Sequence, residues 1–272
     1  MKVVCGTCPH ACALAPGQLG LCGARANVDG EVKCASYGRI SALAFDPIEK
    51  KPLMRFLPGT RVLSVGGFGC NMRCPFCQNH GISMAKPDAD APYLSPEALA
   101  SRARGIPGNL GVAYTYNEPL VSWEYVRDCA KRIRAAGMKN VLVTNGMAHL
   151  PVLEEILPYI DAMNVDLKGF TQAYYGWLGG DLETVKRFIA RAAASCHVEL
   201  TTLVVPGRND AESEMGEEAE WIASVDPEIP LHITRYFPMY RENTPPTPAE
   251  TISRLVEIAR ERIKYVYAGN MP

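Results

Sequence analysis

The chain lacks any excess of charge: 28 Lys and Arg stand against 29 Asp and Glu, for a net charge of -1. A balanced surface offers no field for DNA, RNA or an anionic membrane, so neither nucleic acid nor membrane is expected as a partner. Also missing is an apolar run of the roughly 18 residues that a membrane span needs, and Met1 to Pro9 shows no charged-then-apolar secretion pattern. A cytoplasmic protein is the expectation. Histidine is scarce, at 5, and His149, His197 and His232 fall at no ligand spacing, so they read as structural. Internal repeats and low-complexity tracts are absent too. Cysteine is the exception: 10 of them, in a chain with no export signal, point to metal or redox chemistry rather than a disulfide framework.

A length of 272 residues suits one substantial domain with a small appendage. Residues 1–58 read as that appendage, a Cys-rich metal-binding module and connector. It carries cysteines at 5, 8, 12, 22 and 34, a hairpin turn at Asp29-Gly30, and Pro47, Pro52 and Pro58 around Glu49-Lys50-Lys51. From residue 59 to 272, short β-branched stretches alternate with helix-period ones. Strands are expected at Arg61–Val65, Gly111–Thr115, Asn140–Thr144, Asp161–Asp166, His197–Val205 and Leu231–Tyr236, with a short edge at Lys264–Tyr267. Val126, Cys129, Ala130 and Ile133 form the apolar stripe of a crossover helix. Thr247, Pro248 and Glu250 look like the cap, first-turn proline and capping-box acid of the last helix. The basic run Lys131–Arg134 and the acidic run Glu212–Glu220 read as solvated helix faces. About six strand-helix units predict parallel strands in an α/β fold, a partial (β/α)6 TIM-like barrel. The rival is a Rossmann-type open sheet, but Gly66-Gly67-Phe68-Gly69 completes no GxGxxG.

Directly after the first barrel strand comes Cys70-Asn71-Met72-Arg73-Cys74-Pro75-Phe76-Cys77, a C-x3-C-x2-C triad. Three thiolates on a cubane of four irons leave one iron open to an outside ligand, as a catalytic metal keeps an open position. Ferredoxin-type carriers use four cysteines at a different spacing. In a barrel of this kind functional groups gather at the C-terminal ends of strands, which is where the triad lies. Gly69 and Asn71 are expected to shape its loop, and Cys129 and Cys196 to be small buried hydrophobes. The N-terminal set Cys5, Cys8, Cys12 and Cys22 supplies four more thiolates, enough for either a zinc site or a second, fully ligated cluster. Only one C-x2-C knuckle is present, which favours iron-sulfur, and Cys34 is an uncommitted fifth.

The triad, with an aromatic residue before its last cysteine, resembles the radical S-adenosylmethionine (radical SAM) superfamily. Over most of the chain the resemblance is to the radical SAM component of the AmmeMemoRadiSam system, a group related to pyruvate formate-lyase activating enzymes. It is carried by Cys5 to Cys22 with Pro9-His10, by Tyr37-Gly38, Asp46 to Leu53, Cys77-Gln78-Asn79, Tyr116 to Pro119 and Arg235 to Pro238. It implies that Cys70, Cys74 and Cys77 hold a 4Fe-4S cluster whose spare iron takes the amino and carboxylate groups of SAM. Glu118 stands in the superfamily's Gly-Gly-Glu-Pro motif, which grips the SAM amino group; Tyr116 and Asn117 replace the glycines. Thr144-Asn145-Gly146 and Asp166-Leu167-Lys168 resemble strand-end motifs of glycyl-radical activases, implying Asn145 at the ribose and Lys168 at the SAM carboxylate. Phe76 would pack near the adenine, or else serve as a core aromatic. Relatives often continue past Gly269-Asn270-Met271-Pro272 into a Cys-x2-Cys tail, which this sequence does not have.

The implied activity is reductive cleavage of SAM to a 5'-deoxyadenosyl radical that abstracts hydrogen from an unidentified substrate. A low-potential flavodoxin or ferredoxin would supply the electron. The substrate is either a partner protein, as for a glycyl-radical activase, or a small molecule or peptide handled beside the system's other proteins. Two rivals are a non-enzymatic iron-sulfur electron carrier and a zinc-dependent scaffold.

Overall fold

One eight-stranded sheet organises the protein, whose structure is a computed structural model describing residues 1–87 and 90–271. Two short antiparallel pairs precede it: β1 (Val3–Val4) with β2 (Ala13–Leu14), and β3 (Arg25–Val28) with β4 (Glu31–Cys34). The second is the hairpin expected at Asp29-Gly30, where both residues adopt positive φ, 57° and 85°, as a tight two-residue turn demands.

The sheet then runs β5 (Ala42–Pro47), β6 (Arg61–Gly66), β7 (Asn109–Tyr114), β8 (Lys139–Thr144), β9 (Ala162–Asp166), β10 (His197–Val204), β11 (Leu231–Arg235) and β12 (Val266–Gly269). Neighbours in sequence are neighbours in space throughout. Strands β6 to β12 pair in parallel, and β5 lies antiparallel on the β6 edge. This monotonic order separates the fold from a doubly wound sheet, whose strand order reverses at a switch point. The connections carry α1 (His80–Ser83) and α2 (Pro96–Arg104), then α3 (Trp123–Ala135), α4 (Leu150–Ile156), α5 (Gln172–Trp177) and α6 (Leu182–Ala193), and finally α7 (Glu212–Val225) and α8 (Ala249–Arg260). Each expected barrel strand is present within a residue or two of its expected ends.

The helix stripe of α3 is buried as its period requires, with Val126, Cys129, Ala130 and Ile133 at most 2% exposed. At Gly111 a Cβ would stand 1.8 Å from Lys139 O, so only glycine lets β7 approach β8 there.

Strand β5 was not among the expected strands; it places residues 42–47, from the segment read as connector, in the main sheet. A proline ends it, which an edge strand tolerates because its outer N–H groups need no partner. Residues 48–58 then cover the N-terminal ends of the strands. Ile48 and Leu53 are fully buried against Val62, Ala113, Val141 and Ala162. Pro52 O accepts from Asn164 Nδ2 at 2.9 Å. Met54 N and Arg55 N donate to the two carboxylate oxygens of Glu199, at 3.0 and 2.7 Å. The same carboxylate accepts from His197 Nε2 and His232 Nε2, so these histidines are structural, as expected.

Two local expectations give way. Thr247 does not cap α8; its hydroxyl donates to Val204 O at 2.6 Å and accepts from Tyr236 N, leaving Pro248 at the N-cap position without a side-chain bond. The acidic run of α7 is not wholly solvated either. Glu218 is 1% exposed and bonded to the Thr202 hydroxyl, and Glu214 accepts from Phe170 N at 2.7 Å.

Candidate functional site

The triad loop leaves β6 through Gly69, whose φ of 86° is a conformation that side chains other than glycine's rarely adopt. Its N–H donates to Ile82 O, and its carbonyl accepts from Glu118 N and Asn117 Nδ2. The loop is thereby tied to the segment after β7 before the first cysteine is reached. Arg73 clasps it from within, donating to Cys70 O at 2.7 Å and Met72 O at 2.8 Å, while its own N–H reaches Leu178 O. Cys77 N donates to Cys74 O and opens the short turn into α1.

The thiols of Cys70, Cys74 and Cys77 lie within electrostatic reach of one another. Met72 N donates to Cys70 Sγ at 3.3 Å and Asn145 Nδ2 approaches it at 3.6 Å. Burial pushes the Cys74 thiol up to about 11 and raises that of Cys70 as well, with Glu118 and the neighbouring cysteines adding to the shift. Without a cation such thiols stay protonated; a metal centre is what makes thiolates of them. Among the described residues no three His, Cys, Asp or Glu side chains converge on one position suited to a single ion. A cubane does not ask for that, since each thiolate bonds an iron at its own corner. Three free thiols on one loop, each able to bond an iron of its own, are a donor set that fits a cluster.

Glu118 lies 3% exposed at the start of a 3-10 turn, Pro119–Ser122. Its Oε1 accepts from Leu120 N at 2.9 Å and Thr144 Oγ at 2.7 Å, and its Oε2 from Asn145 N at 2.8 Å. These three bonds favour the anion, yet burial outweighs them and the carboxyl is pushed up to about 7. Every direct partner is a neutral donor. A cation placed beside it would relieve the penalty and gain a charge-assisted bond.

Lys168 at the end of β9 is the positive group on the far side. It pairs with Asp166 at 2.8 Å. Desolvation works against its charge, but Asp166 and Cys74 together hold it above the ordinary lysine range. Thr144 and Asn145 join Glu118, as described. Asn145 also donates to Asn71 Oδ1 at 2.9 Å, so its amide supports the triad loop directly. Phe76 is 5% exposed and packs on Trp177 and Tyr236, at 5.9 and 6.2 Å between ring centres.

Tyr116 and Asn117 take different parts. Tyr116 has φ 74°, a backbone state that disfavours any side chain by about 1–2 kcal/mol and suits glycine. Its phenol donates to Asp46 Oδ2 at 2.8 Å, on the carboxylate that also binds Lys51 and Ser64. Asn117 bonds Gly67 N and Gly69 O. Both side chains brace the loop against β5 and β6.

Sequence reasoning named His10 and Asp166 only within motifs and gave them no role of their own, passed over Arg25, and gave Asn71 only a loop role. His10 Nε2 donates to Asn71 O at 2.7 Å, and Asn71 Nδ2 to Met147 O at 2.6 Å. Asn71 directly follows Cys70 and His10 lies midway between Cys8 and Cys12, whereas Arg25 and Asp166 have no such neighbour.

The family model for the radical SAM superfamily matches residues 64–219. The chain is 40% identical over 278 residues to an uncharacterized protein, MJ0808, of Methanocaldococcus jannaschii, covering 100% of this chain and 82% of that one. It is 27% identical over 159 residues to the pyruvate formate-lyase 1-activating enzyme of Escherichia coli, over 56% of this chain and 64% of the relative. Among solved structures, a domain of a pyruvate formate-lyase activating enzyme from Bacteroides vulgatus matches with a TM-score of 0.52 and 22% identity, over 59% of this chain and 99% of that domain. The last of these similarities speaks for the fold alone.

Proposed function

The chain belongs to the radical SAM superfamily, and from that membership we propose that it binds a 4Fe-4S cluster on Cys70, Cys74 and Cys77 and S-adenosylmethionine on the cluster's open iron. Bound together, these groups supply reductive cleavage of the sulfonium and a carbon radical that removes hydrogen from a substrate. The observation that carries the reading is Glu118, a buried carboxylate with no cationic hydrogen-bond partner among the described residues, held by Thr144 and Asn145 beside the triad loop.

In this reading Glu118 receives the SAM ammonium, and the resulting ion pair restores its anionic form. Lys168, oriented by Asp166, meets the carboxylate. Phe76, already packed on Trp177 and Tyr236, presents an apolar face for the adenine. Asn145 and Asn71 keep the Cys70 end of the loop in place, and Tyr116 and Asn117 act through the backbone they brace. Burial of these groups keeps water from the reacting centre.

The substrate is left unnamed. Similarity to the E. coli pyruvate formate-lyase 1-activating enzyme supports a partner protein as the substrate; a low-potential flavodoxin or ferredoxin is the electron donor of this reading. The test is anaerobic reconstitution followed by dithionite and SAM. Formation of 5'-deoxyadenosine by wild type and its loss in Cys74→Ala is the expected result. An iron-loaded protein that leaves SAM intact would favour a simple electron carrier, and a zinc-loaded, iron-free one a scaffold.

A further inference from the structure

The cysteines of the N-terminal module take no part in the site above, yet the fold brings them to its back. Cys5 follows β1 and Cys12 precedes β2. Cys5 N donates to Cys12 O at 3.0 Å, closing a short loop that turns at Ala11 with φ 42°. Cys8 lies within that loop. Cys22 reaches the same region from the turn before β3, and Cys5, Cys8 and Cys22 are within electrostatic reach of one another. Cys12 Sγ lies 3.7 Å from where a Cβ on Gly20, two residues before Cys22, would stand.

A second and independent sign is Arg25. Its side chain is buried, binds both oxygens of Glu124, lies within reach of Cys34 as well as of Cys5 and Cys22, and leaves Nε buried without a partner among the described residues. A buried donor without an acceptor is uncommon, and an inorganic or thiolate sulfur carrying negative charge would supply one.

The module and the triad loop are joined directly. Cys70 N donates to Cys22 O at 3.2 Å, and Arg73 donates to Leu21 O. His10, two residues past Cys8, bonds Asn71 O, and the Asn71 side chain accepts from Asn145, which approaches Cys70 Sγ. No side chain needs to be crossed between Cys22 and Cys70; a single backbone hydrogen bond spans them.

We propose that Cys5, Cys8, Cys12 and Cys22 hold a second iron-sulfur cluster, ligated by all four, that hands single electrons to the Cys70 loop. A reduced low-potential donor protein of the ferredoxin or flavodoxin class gives up one electron, the second cluster takes it and passes it on, and no bond forms or breaks. Iron-sulfur is chosen over zinc on spacing: Cys5-x2-Cys8 is the one C-x2-C pair of the set, where a structural zinc favours two. The relay rests on the Cys70 triad holding a cluster; the second site does not.

The test is metal content and spectroscopy of the full chain reconstituted with iron and sulfide under anaerobic conditions. Wild type is expected to hold about eight irons and eight sulfides, two cubanes. The triple variant C70A/C74A/C77A leaves the N-terminal module untouched and should keep half of them, with a dithionite-reduced EPR signal that SAM does not alter. The variant C8S/C22S should keep the other half, with a signal that SAM does alter. A triple variant without iron, or wild type carrying one zinc per chain in the module, overturns the second site. For the relay, stopped-flow bleaching by photoreduced flavodoxin should lose its fast phase in C8S/C22S while bleaching by dithionite does not; equal flavodoxin rates in both proteins overturn it. Failure of the SAM reading itself would look different: no SAM-sensitive signal in wild type, with the triple variant's iron unchanged.

Discussion

Glu218 makes a prediction that needs no cofactor. The Thr202 hydroxyl has one proton, and its oxygen lies 2.7 Å from Leu167 O, which only accepts, as well as against Glu218 Oε1. The proton belongs to Leu167, so Glu218 must be the donor to Thr202 and therefore the neutral acid. Burial agrees, pushing its carboxyl from 4.5 up to about 8. The sign of the consequence follows from linkage. Between about pH 4.5 and 8 the unfolded chain has released a proton that the native chain keeps, so this residue makes native stability fall as pH rises. At about 1.4 kcal/mol per unit the loss is about 3 kcal/mol by pH 7. Glu218→Gln keeps the donation to Thr202 and removes the ionisation, but leaves one amide N–H unpaired at a cost of about 1–3 kcal/mol. The variant should be less stable than wild type at pH 5 and more stable at pH 8, with the curves crossing near about pH 6. Urea unfolding followed by circular dichroism across that range reads it. Two parallel curves with a constant offset would refute both the proton assignment and the buried acid.

Three further outcomes follow from the same kind of argument. Glu118→Gln should flatten the pH dependence of SAM binding around about pH 7, where the wild-type carboxyl titrates, and weaken that binding by about 10–100-fold through loss of a charge-assisted bond; isothermal titration under anaerobic conditions checks both. Glu199 behaves oppositely to Glu218. Burial raises it, but His197, His232 and the Arg55 and Met54 amides bring it down to about 2, so its stabilisation is present above about pH 4.5 and is lost as pH falls toward 2. Glu199→Ala removes a fully buried acceptor from four donors, of which only His232 is itself buried, and should cost about 1–3 kcal/mol by chemical denaturation. Gly69→Ala would place a Cβ 2.3 Å from Cys22 O in a left-handed backbone state; iron retained by the triad should drop while the far-UV spectrum stays, and full iron content would count against the docking described.

Much of this was written in local sequence. The barrel strands were legible because β-branched runs alternate with helix-period stretches, and the triad because three thiols so close have few other uses. β5 was not, since Ala42-Leu43-Ala44-Phe45 is followed by Asp46-Pro47 and reads as a connector; only pairing with β6 makes a strand of it. The acidic run of α7 misled by composition, although Glu218 falls between Met215 and Ile222 on the buried stripe. Thr247 looked like a cap until a carbonyl 43 residues earlier claimed its hydroxyl. At the site, Glu118 was visible from its motif. The phenol of Tyr116 bonding β5, and the unpartnered nitrogen of Arg25, depend on residues far away in sequence and leave no local trace.

The segment that covers the strand ends bears on how the chain comes to be made. Residues 48–58 leave the ribosome early, but the carboxylate that takes up the Met54 and Arg55 amides is synthesised about 145 positions later. Until β10 emerges, those amides stay with water. Residues 48–58 must therefore wait for the later strand before their backbone is fully tied down, and a contact of such sequence separation is slow to close.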